Sequence, residues 1–229
     1  MKRGNWIAML PFYLLTVILG IGVAMLGSNA VDTAVQSAPV EHSHIYIIDA
    51  GHGGIDGGAT SCTGVLESAI NLQIALRLND MMHFLGMDTV MIRTTDTSVY
   101  TEGNTVAAQK VSDLKERARI VNETQQGVLI SIHQNTFSDS RYYGAQVFYA
   151  PTPGSRELAD KLQHALCPHR RSKAGNNVYL LQHIERTGIL IECGFLTNPQ
   201  EEAKLRSDAY QIWLCAEIAT GVIQWTVGS

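Results

Sequence analysis

The sequence predicts an α/β fold: a three-layer α/β/α arrangement around a mostly parallel central sheet, in a single domain over residues 44–229. Three observations predict it. From His44 onward, short apolar runs alternate with stretches of helical apolar periodicity, the order expected of βαβ units. Runs such as Val128-Leu129-Ile130-Ser131-Ile132 are apolar at successive positions, so both faces need cover, as parallel strands between helix layers do. A composition of 45% hydrophobic and 17% charged residues over 229 positions suits one ordinary globular domain with a short appendage.

The appendage comes first. Lys2 and Arg3 precede residues 6–26, which are 21 positions without a charge and with only Thr16 clearly polar. At about 1.5 Å per residue, a helix of that length spans roughly the 30 Å hydrocarbon core of a bilayer. Ser28-Asn29-Ala30 has the small-x-small form of a cleavage site. Residues 1–30 are therefore expected to be a signal peptide or an N-terminal membrane anchor. Either reading leaves the rest of the chain outside the cytoplasmic membrane, because the positive residues stay inside. Residues 31–43 are small and polar with no apolar period, and read as a linker.

The domain opens with a strand over 45–49, which runs into a glycine-rich loop over 51–58. Residues 67–85 read as a helix with Ile74, Leu78, Met81, Met82 and Leu85 on one face and Gly86 as the C′ stop. A strand follows over 87–93. The polar stretch 94–110 carries no periodic pattern, and a helix is expected over 112–123 with Ser112 as its cap. Strands at 128–133 and 144–150, a helix at 155–166, a strand at 188–194 and a closing helix at 209–225 complete the alternation. There is no internal repeat and no low-complexity segment.

Without residues 1–30 the chain holds 15 basic against 21 acidic residues, a formal charge of −6. That argues against a polyanion-binding surface, and no nucleic-acid partner is expected. Cys62, Cys167, Cys193 and Cys215 form no C-x-x-C unit, and Cys193 and Cys215 sit in apolar runs that suit buried thiols.

In open α/β sheets, ligands sit beyond the carboxyl ends of the strands. The first strand ends at Asp49-Ala50-Gly51-His52-Gly53-Gly54, the strand over 128–133 at His133-Gln134-Asn135, and the last at Ile191-Glu192-Cys193-Gly194. Glu67 opens the helix after the first strand, so it too can face that edge. Two histidines and two glutamates therefore gather there. Catalytic zinc takes three protein ligands of this kind, and a free carboxylate can move the protons of an amide hydrolysis. Singly, each has an ordinary explanation: His52 as a turn residue, His133 as a satisfied core histidine, Glu67 as a first-turn acid favourable to the helix dipole. Glu192 resists one, because it interrupts Gly188-Ile189-Leu190-Ile191 in a strand that should be buried.

Other polar residues are less specific. Asn135, two positions after His133, should point the same way and either binds substrate, orients a ligand or is an ordinary loop residue. Arg170, Arg171 and Lys173 could meet substrate carboxylates or a partner protein, or form a solvated basic loop. Cys62 precedes Glu67 in its loop and is expected to stay off the metal. His42, His44, His83, His164, His169 and His183 show no matching partner pattern and read as structural or surface residues.

Four segments carry a family resemblance. Ile47-Ile48-Asp49-Ala50-Gly51-His52-Gly53-Gly54 resembles the first motif of the zinc-dependent N-acetylmuramoyl-L-alanine amidases, with Ala50 where the family usually has proline. Glu67-Ser68-Ala69-Ile70-Asn71-Leu72, Ser131-Ile132-His133-Gln134-Asn135 and Leu190-Ile191-Glu192-Cys193-Gly194-Phe195-Leu196-Thr197-Asn198-Pro199 are similar to the second, third and fourth motifs. The likeness covers about residues 44–225, with the motifs in order. Asp113-Leu114-Lys115-Glu116-Arg117, Val178-Tyr179-Leu180-Leu181-Gln182, the basic stretch 170–173 and the short leader resemble the germination-specific members from spore-forming bacteria. The resemblance implies that His52, Glu67 and His133 bind Zn2+, that Glu192 is catalytic, and that peptidoglycan is cut between the muramic lactyl group and L-alanine. It implies a role in spore cortex muramic-δ-lactam formation, and so a location between forespore and mother cell.

Two other readings stay open. One is a catalytically weak or partner-dependent protein of the same fold, acting as a binding or regulatory module. The other is a different zinc hydrolase, such as a peptidase or deacetylase, which the site chemistry alone would permit. After residue 44 there is room only for the one domain, so localisation is expected from the leader or a partner. A regulatory protein controlling zinc loading or activity is expected as that partner.

Overall fold

The structure, a computed structural model, describes residues 44–228. The expected leader and linker, residues 1–43, lie outside the described residues. Among the described residues, no helix is long and apolar enough to cross a membrane.

Six strands form one sheet: β1 (Ile45–Ala50), β2 (Thr89–Met91), β3 (Gly127–Asn135), β4 (Gln146–Tyr149), β5 (Lys173–Ala174) and β6 (Thr187–Phe195). Their order is β2-β1-β3-β6-β4-β5. Neighbours run parallel except β4 and β6, which are antiparallel. The helices are α1 (Glu67–Phe84), α2 (Val106–Glu123), α3 (Ser155–Leu166), α4 (Tyr179–His183), α5 (Pro199–Leu205) and α6 (Asp208–Val227).

Alternation along the strands builds the three layers. Tyr46, Ile48, Val128, Ile130, Ile132, Ile189 and Ile191 point to one face, where Ile74 and Leu78 of α1, Leu158 and Leu162 of α3, and Leu214 and Ile218 of α6 cover them. Ile47, Leu129 and Leu190 point to the other face, under Ala118 and Val121 of α2 and Leu180 and Leu181 of α4. Both faces are covered, which is why the central strands carry apolar residues at successive positions.

Most of the expected elements are present, and the departures have local causes. In α1 the buried face is Ile70, Ile74, Ala75, Leu78 and Met82. Leu85, expected on that face, is 46% exposed, because it caps the helix where the chain turns away. Gly86 stands at C′ as expected: its N–H donates to the His83 carbonyl, and the Met87 N–H donates to that of Met82, both at 2.9 Å.

The helix expected from Ser112 starts earlier, at Val106. Thr105 caps it, its hydroxyl accepting from the Ala108 N–H at 3.2 Å. Ser112 is buried inside α2, and its hydroxyl instead accepts from the Thr101 and Glu102 N–H groups at 3.1 and 3.2 Å. The first turn of α2 is largely exposed, so no apolar period marks it. Short elements were also silent in the sequence: β5 has two residues and α4 five. The start of α5 is readable in retrospect: the Asn198 carboxamide oxygen accepts from Gln200 and Glu201 N–H groups, and Pro199 follows at the first helical position. Cys193 and Cys215 are buried free thiols as expected; Cys167 is buried and Cys62 exposed.

Candidate metal and catalytic centre

The site grows from the parallel pairing of β1, β3 and β6. Ala50 is level with Ile132, which is level with Ile191, and one step further His133 stands opposite Glu192. The three strands therefore release their last side chains at one edge. Paired residues share a face of a sheet, so His133 and Glu192 project to the same side.

Two buried arginines fix the chain as it leaves β1. Arg117 of α2 pairs with Asp49, whose other oxygen accepts from the Ser131 hydroxyl at 2.6 Å. The same guanidinium donates to the Ala50 and His52 carbonyls at 3.0 and 2.8 Å, and its Nε donates to Asp113 at 2.6 Å. Arg93 donates to the carbonyls of Ala50, Gly51 and Ser68 at 2.8 to 3.0 Å. Burial alone would raise the Asp49 carboxyl; the Arg117 charge and hydrogen bond, the His133 charge and the Ser131 hydroxyl together outweigh it and keep the group ionised. Clamped in this way, His52 holds φ at 61°, a left-handed conformation rare outside glycine and found at sites where the surroundings enforce it.

Glu67 is the hub. It opens α1, lies buried, and accepts N–H donation from Ala59 at 3.0 Å and Gln134 at 3.1 Å. Its two oxygens face the two histidines: Oε1 lies 3.1 Å from His133 Nδ1 and Oε2 lies 3.3 Å from His52 Nε2. Asn71, one turn along α1, donates to Glu67 and to the Gly51 carbonyl and accepts from Gln134 Nε2, each at 3.1 to 3.3 Å. Behind His52, Asp56 Oδ2 lies 2.8 Å from Nδ1. Burial opposes charge on both sides of this cluster, yet the partners win. Glu67 is held far below the usual carboxylate range by His133 and His52, and His52 is raised to about 9 by Glu67 and Asp56.

One ligand atom each from His52, Glu67 and His133 lies within 4.8 Å of the others. Two imidazoles and one carboxylate are the donor set of a catalytic zinc site, so the residues present fit such an ion. The surrounding backbone makes room for them. A methyl group on Gly51 would come within 2.1 Å of His133 Nε2, and one on Gly58 within 2.7 Å of both Glu67 and His52.

Glu192 is of another kind. Its Oε2 is closed to solvent and has no hydrogen-bond partner among the described residues. Burial pushes its carboxyl up to about 7; His133 and His52 pull it down and Glu67 pushes it up by smaller amounts. It is a poorly solvated carboxyl close to the His52, Glu67 and His133 cluster and outside it.

The other expected residues lie further out. Asn135 is half-buried after an irregularity in the β3–β6 pairing, with its carbonyl accepting from Leu196 at 2.8 Å. Arg170 lies 5.4 Å above the Phe195 ring and donates to the Tyr143 carbonyl at 2.6 Å. Arg171 is exposed, and its carbonyl accepts from Gln146. Cys62 is not in the ligand cluster. Sequence reasoning passed over Asp56, Asn71, Arg93 and Gln134. Asn71 had a signal, the one-turn spacing from Glu67; Asp56 had only its place in the glycine loop, and Arg93 only its place at the end of an expected strand.

Comparison with known proteins adds a lineage. The sequence model of a family described as N-acetylmuramoyl-L-alanine amidase matches residues 47–224. The germination-specific N-acetylmuramoyl-L-alanine amidase of Bacillus subtilis (strain 168) is 31% identical over 231 residues, covering 98% of this chain and 95% of that protein. A solved structure of the CwlD amidase from Clostridioides difficile in complex with the GerS lipoprotein superposes with a TM-score of 0.77 at 34% identity, over 81% of this chain and 100% of that one. The catalytic domain of CwlV from Bacillus (Paenibacillus) polymyxa superposes with a TM-score of 0.69 at 25% identity, over 81% and 99% of the two chains.

Proposed function

We propose a function from one premise: this chain belongs to the N-acetylmuramoyl-L-alanine amidase family. It hydrolyses the amide between the muramic lactyl group and L-alanine in peptidoglycan, and it does so with zinc. The observation that carries the reading is the cluster of His52, Glu67 and His133, with a buried, unpaired Glu192 oxygen across the β3–β6 pairing.

In this reading His52, Glu67 and His133 hold the ion. Zinc bound there supplies Lewis-acid chemistry, polarising the scissile carbonyl and lowering the pKa of the attacking water. Glu192 carries the proton. As a carboxylate it accepts one from the attacking water; as the acid it returns one to the alanine nitrogen while the C–N bond breaks. In the metal-free site burial already holds this carboxyl above the ordinary carboxylate range, so it takes up a proton more readily than an exposed glutamate does. Asn135 positions substrate beside His133. Arg170, which has no carboxylate partner among the described residues, and Arg171 meet carboxylates of the stem peptide.

The likeness to a germination-specific amidase supports a setting in the spore cortex. There the enzyme would strip peptides ahead of a deacetylase, so that muramic-δ-lactam can form. Residues 1–30 would export or anchor it, at the outer face of the cytoplasmic membrane or beyond, between forespore and mother cell. That the Clostridioides difficile CwlD amidase is found with a lipoprotein supports a protein partner controlling zinc loading or activity here too.

The test is incubation of the purified protein with isolated peptidoglycan, with and without zinc, scoring new alanine amino termini and peptide-free muramic acid. Release that needs zinc and drops about 10²–10⁴-fold in Glu192→Gln is expected. Near-normal turnover by a zinc-loaded Glu192→Gln protein would remove the proton role. Absence of release by a zinc-loaded wild type would favour the partner-dependent module.

A further inference from the structure

We infer that Asp56 is a positioning residue for the metal: its carboxylate holds His52 in the one tautomer and orientation that presents a lone pair to the site. The inference rests on the zinc reading above and adds a residue to it.

The two histidines of the cluster turn different nitrogens toward Glu67. His133 packs Nε2 against Gly51 and faces Glu67 with Nδ1. His52 faces Glu67 with Nε2 and turns Nδ1 outward to Asp56 at 2.8 Å. An imidazole whose Nδ1–H is bonded to a carboxylate has Nε2 left to face a metal, as a ligand requires. The carboxylate can do this only if it is itself fixed. Asp56 Oδ1 accepts from Lys110 Nζ at 2.7 Å and from the Gly58 N–H at 3.3 Å, which leaves Oδ2 for His52. The Gly53–Asp56 backbone bridge, with bonds of 2.8 and 3.1 Å, closes the loop that carries both partners. The chain from α2 through Asp56 to His52 is thus continuous, and it approaches the cluster from the side opposite Glu67.

This arrangement makes a specific substitution informative. In Asp56→Asn the single carboxamide oxygen is claimed by two donors, Lys110 and the Gly58 N–H. The amide NH2 then faces His52 Nδ1 and favours the tautomer whose proton sits on Nε2, where the metal lone pair should be. Asp56→Asn should therefore weaken zinc binding by about 10–100-fold with little change in overall fold. Lys110→Met leaves the carboxylate charge and its bond to His52 in place, and should weaken zinc binding by much less. Asp80→Asn, the same change of charge on the exposed side of α1, should leave it unaltered.

The experiment uses the full-length, metal-stripped protein and its three variants. Zinc dissociation constants are measured by competition with a chromophoric chelator, and the cobalt(II) d–d absorption reports the ligand geometry. The expected result is a loss confined to Asp56→Asn, with an altered cobalt spectrum. Equal affinities and spectra in wild type and Asp56→Asn would overturn the inference while leaving the zinc site standing. A Lys110→Met loss as large as that of Asp56→Asn would overturn it in favour of simple loop support. If the wild type binds neither zinc nor cobalt, the zinc reading fails first and takes this inference with it.

Discussion

Glu192 keeps a carboxyl where its charge is badly solvated, and the consequence is measurable without any substrate. Its folded pKa of about 7 lies above the ordinary 4.5, so the native metal-free protein binds a proton that the unfolded chain releases. Stability from this group is therefore unaffected below about pH 4.5, declines as pH rises between the two values, and is lowest above about 7. Metal-free Glu192→Gln should match the wild type near pH 4 and exceed it near pH 8 by up to about 3 kcal/mol, read by denaturant unfolding. An equal difference at both pH values would mean that desolvation does not set this carboxyl. Gly51 offers the opposite experiment, in which one added carbon does harm. In Gly51→Ala the new methyl meets His133 Nε2, so the imidazole must move; lost zinc binding and about 1–3 kcal/mol of destabilisation should appear together in calorimetry.

The helix α2 does two jobs, and each has its own test. Its true start predicts that Thr105→Ala costs about 1 kcal/mol, whereas substitutions at residues 109 and 110 should show no capping effect in chemical denaturation. Its inner face delivers Arg117 to Asp49, both almost fully buried. Arg117→Leu strands the Asp49 charge and should cost about 3–5 kcal/mol, with zinc affinity falling as well because the Ala50 and His52 carbonyls lose their donor. These two ends also explain what could be read from the chain in advance. The buried half of α2 repeats Arg117, Ala118 and Val121 at helical spacing. Its exposed first turn, Val106-Ala107-Ala108-Gln109, has no inward face to leave a period. The α1 helix was legible from end to end because Ile70, Ile74, Leu78 and Met82 all face the core. Likewise β5 was not, since two exposed residues at a sheet edge need no apolar pattern.

For the molecule as a whole, the ligand cluster ties strands and helices that are far apart in sequence. Zinc should therefore stabilise the entire fold: at a free concentration of 100 times its dissociation constant the gain is about 2.7 kcal/mol, seen as a raised melting temperature that His133→Ala abolishes. The cluster itself was legible because His52 and His133 lie near the ends of strands and Glu67 opens a helix, all at the edge where α/β sheets bind ligands. Asp56, Arg93 and Gln134 were not, because a polar residue in or beside a loop says nothing of the partner it meets across space. The same strand pairing also has a meaning in time. His52 and Glu67 leave the ribosome long before β3 arrives with His133, and β6 brings Glu192 later still. Parallel neighbours this distant close late. A chain truncated before β6 holds His52, Glu67 and His133 but not Glu192, and in refolding the ability to take up metal should rise with the last, global phase rather than ahead of it. Whatever chemistry needs all four residues is in that sense withheld until β6 has been added, so on the proposed reading a copy stopped before β6 cannot cut the wall.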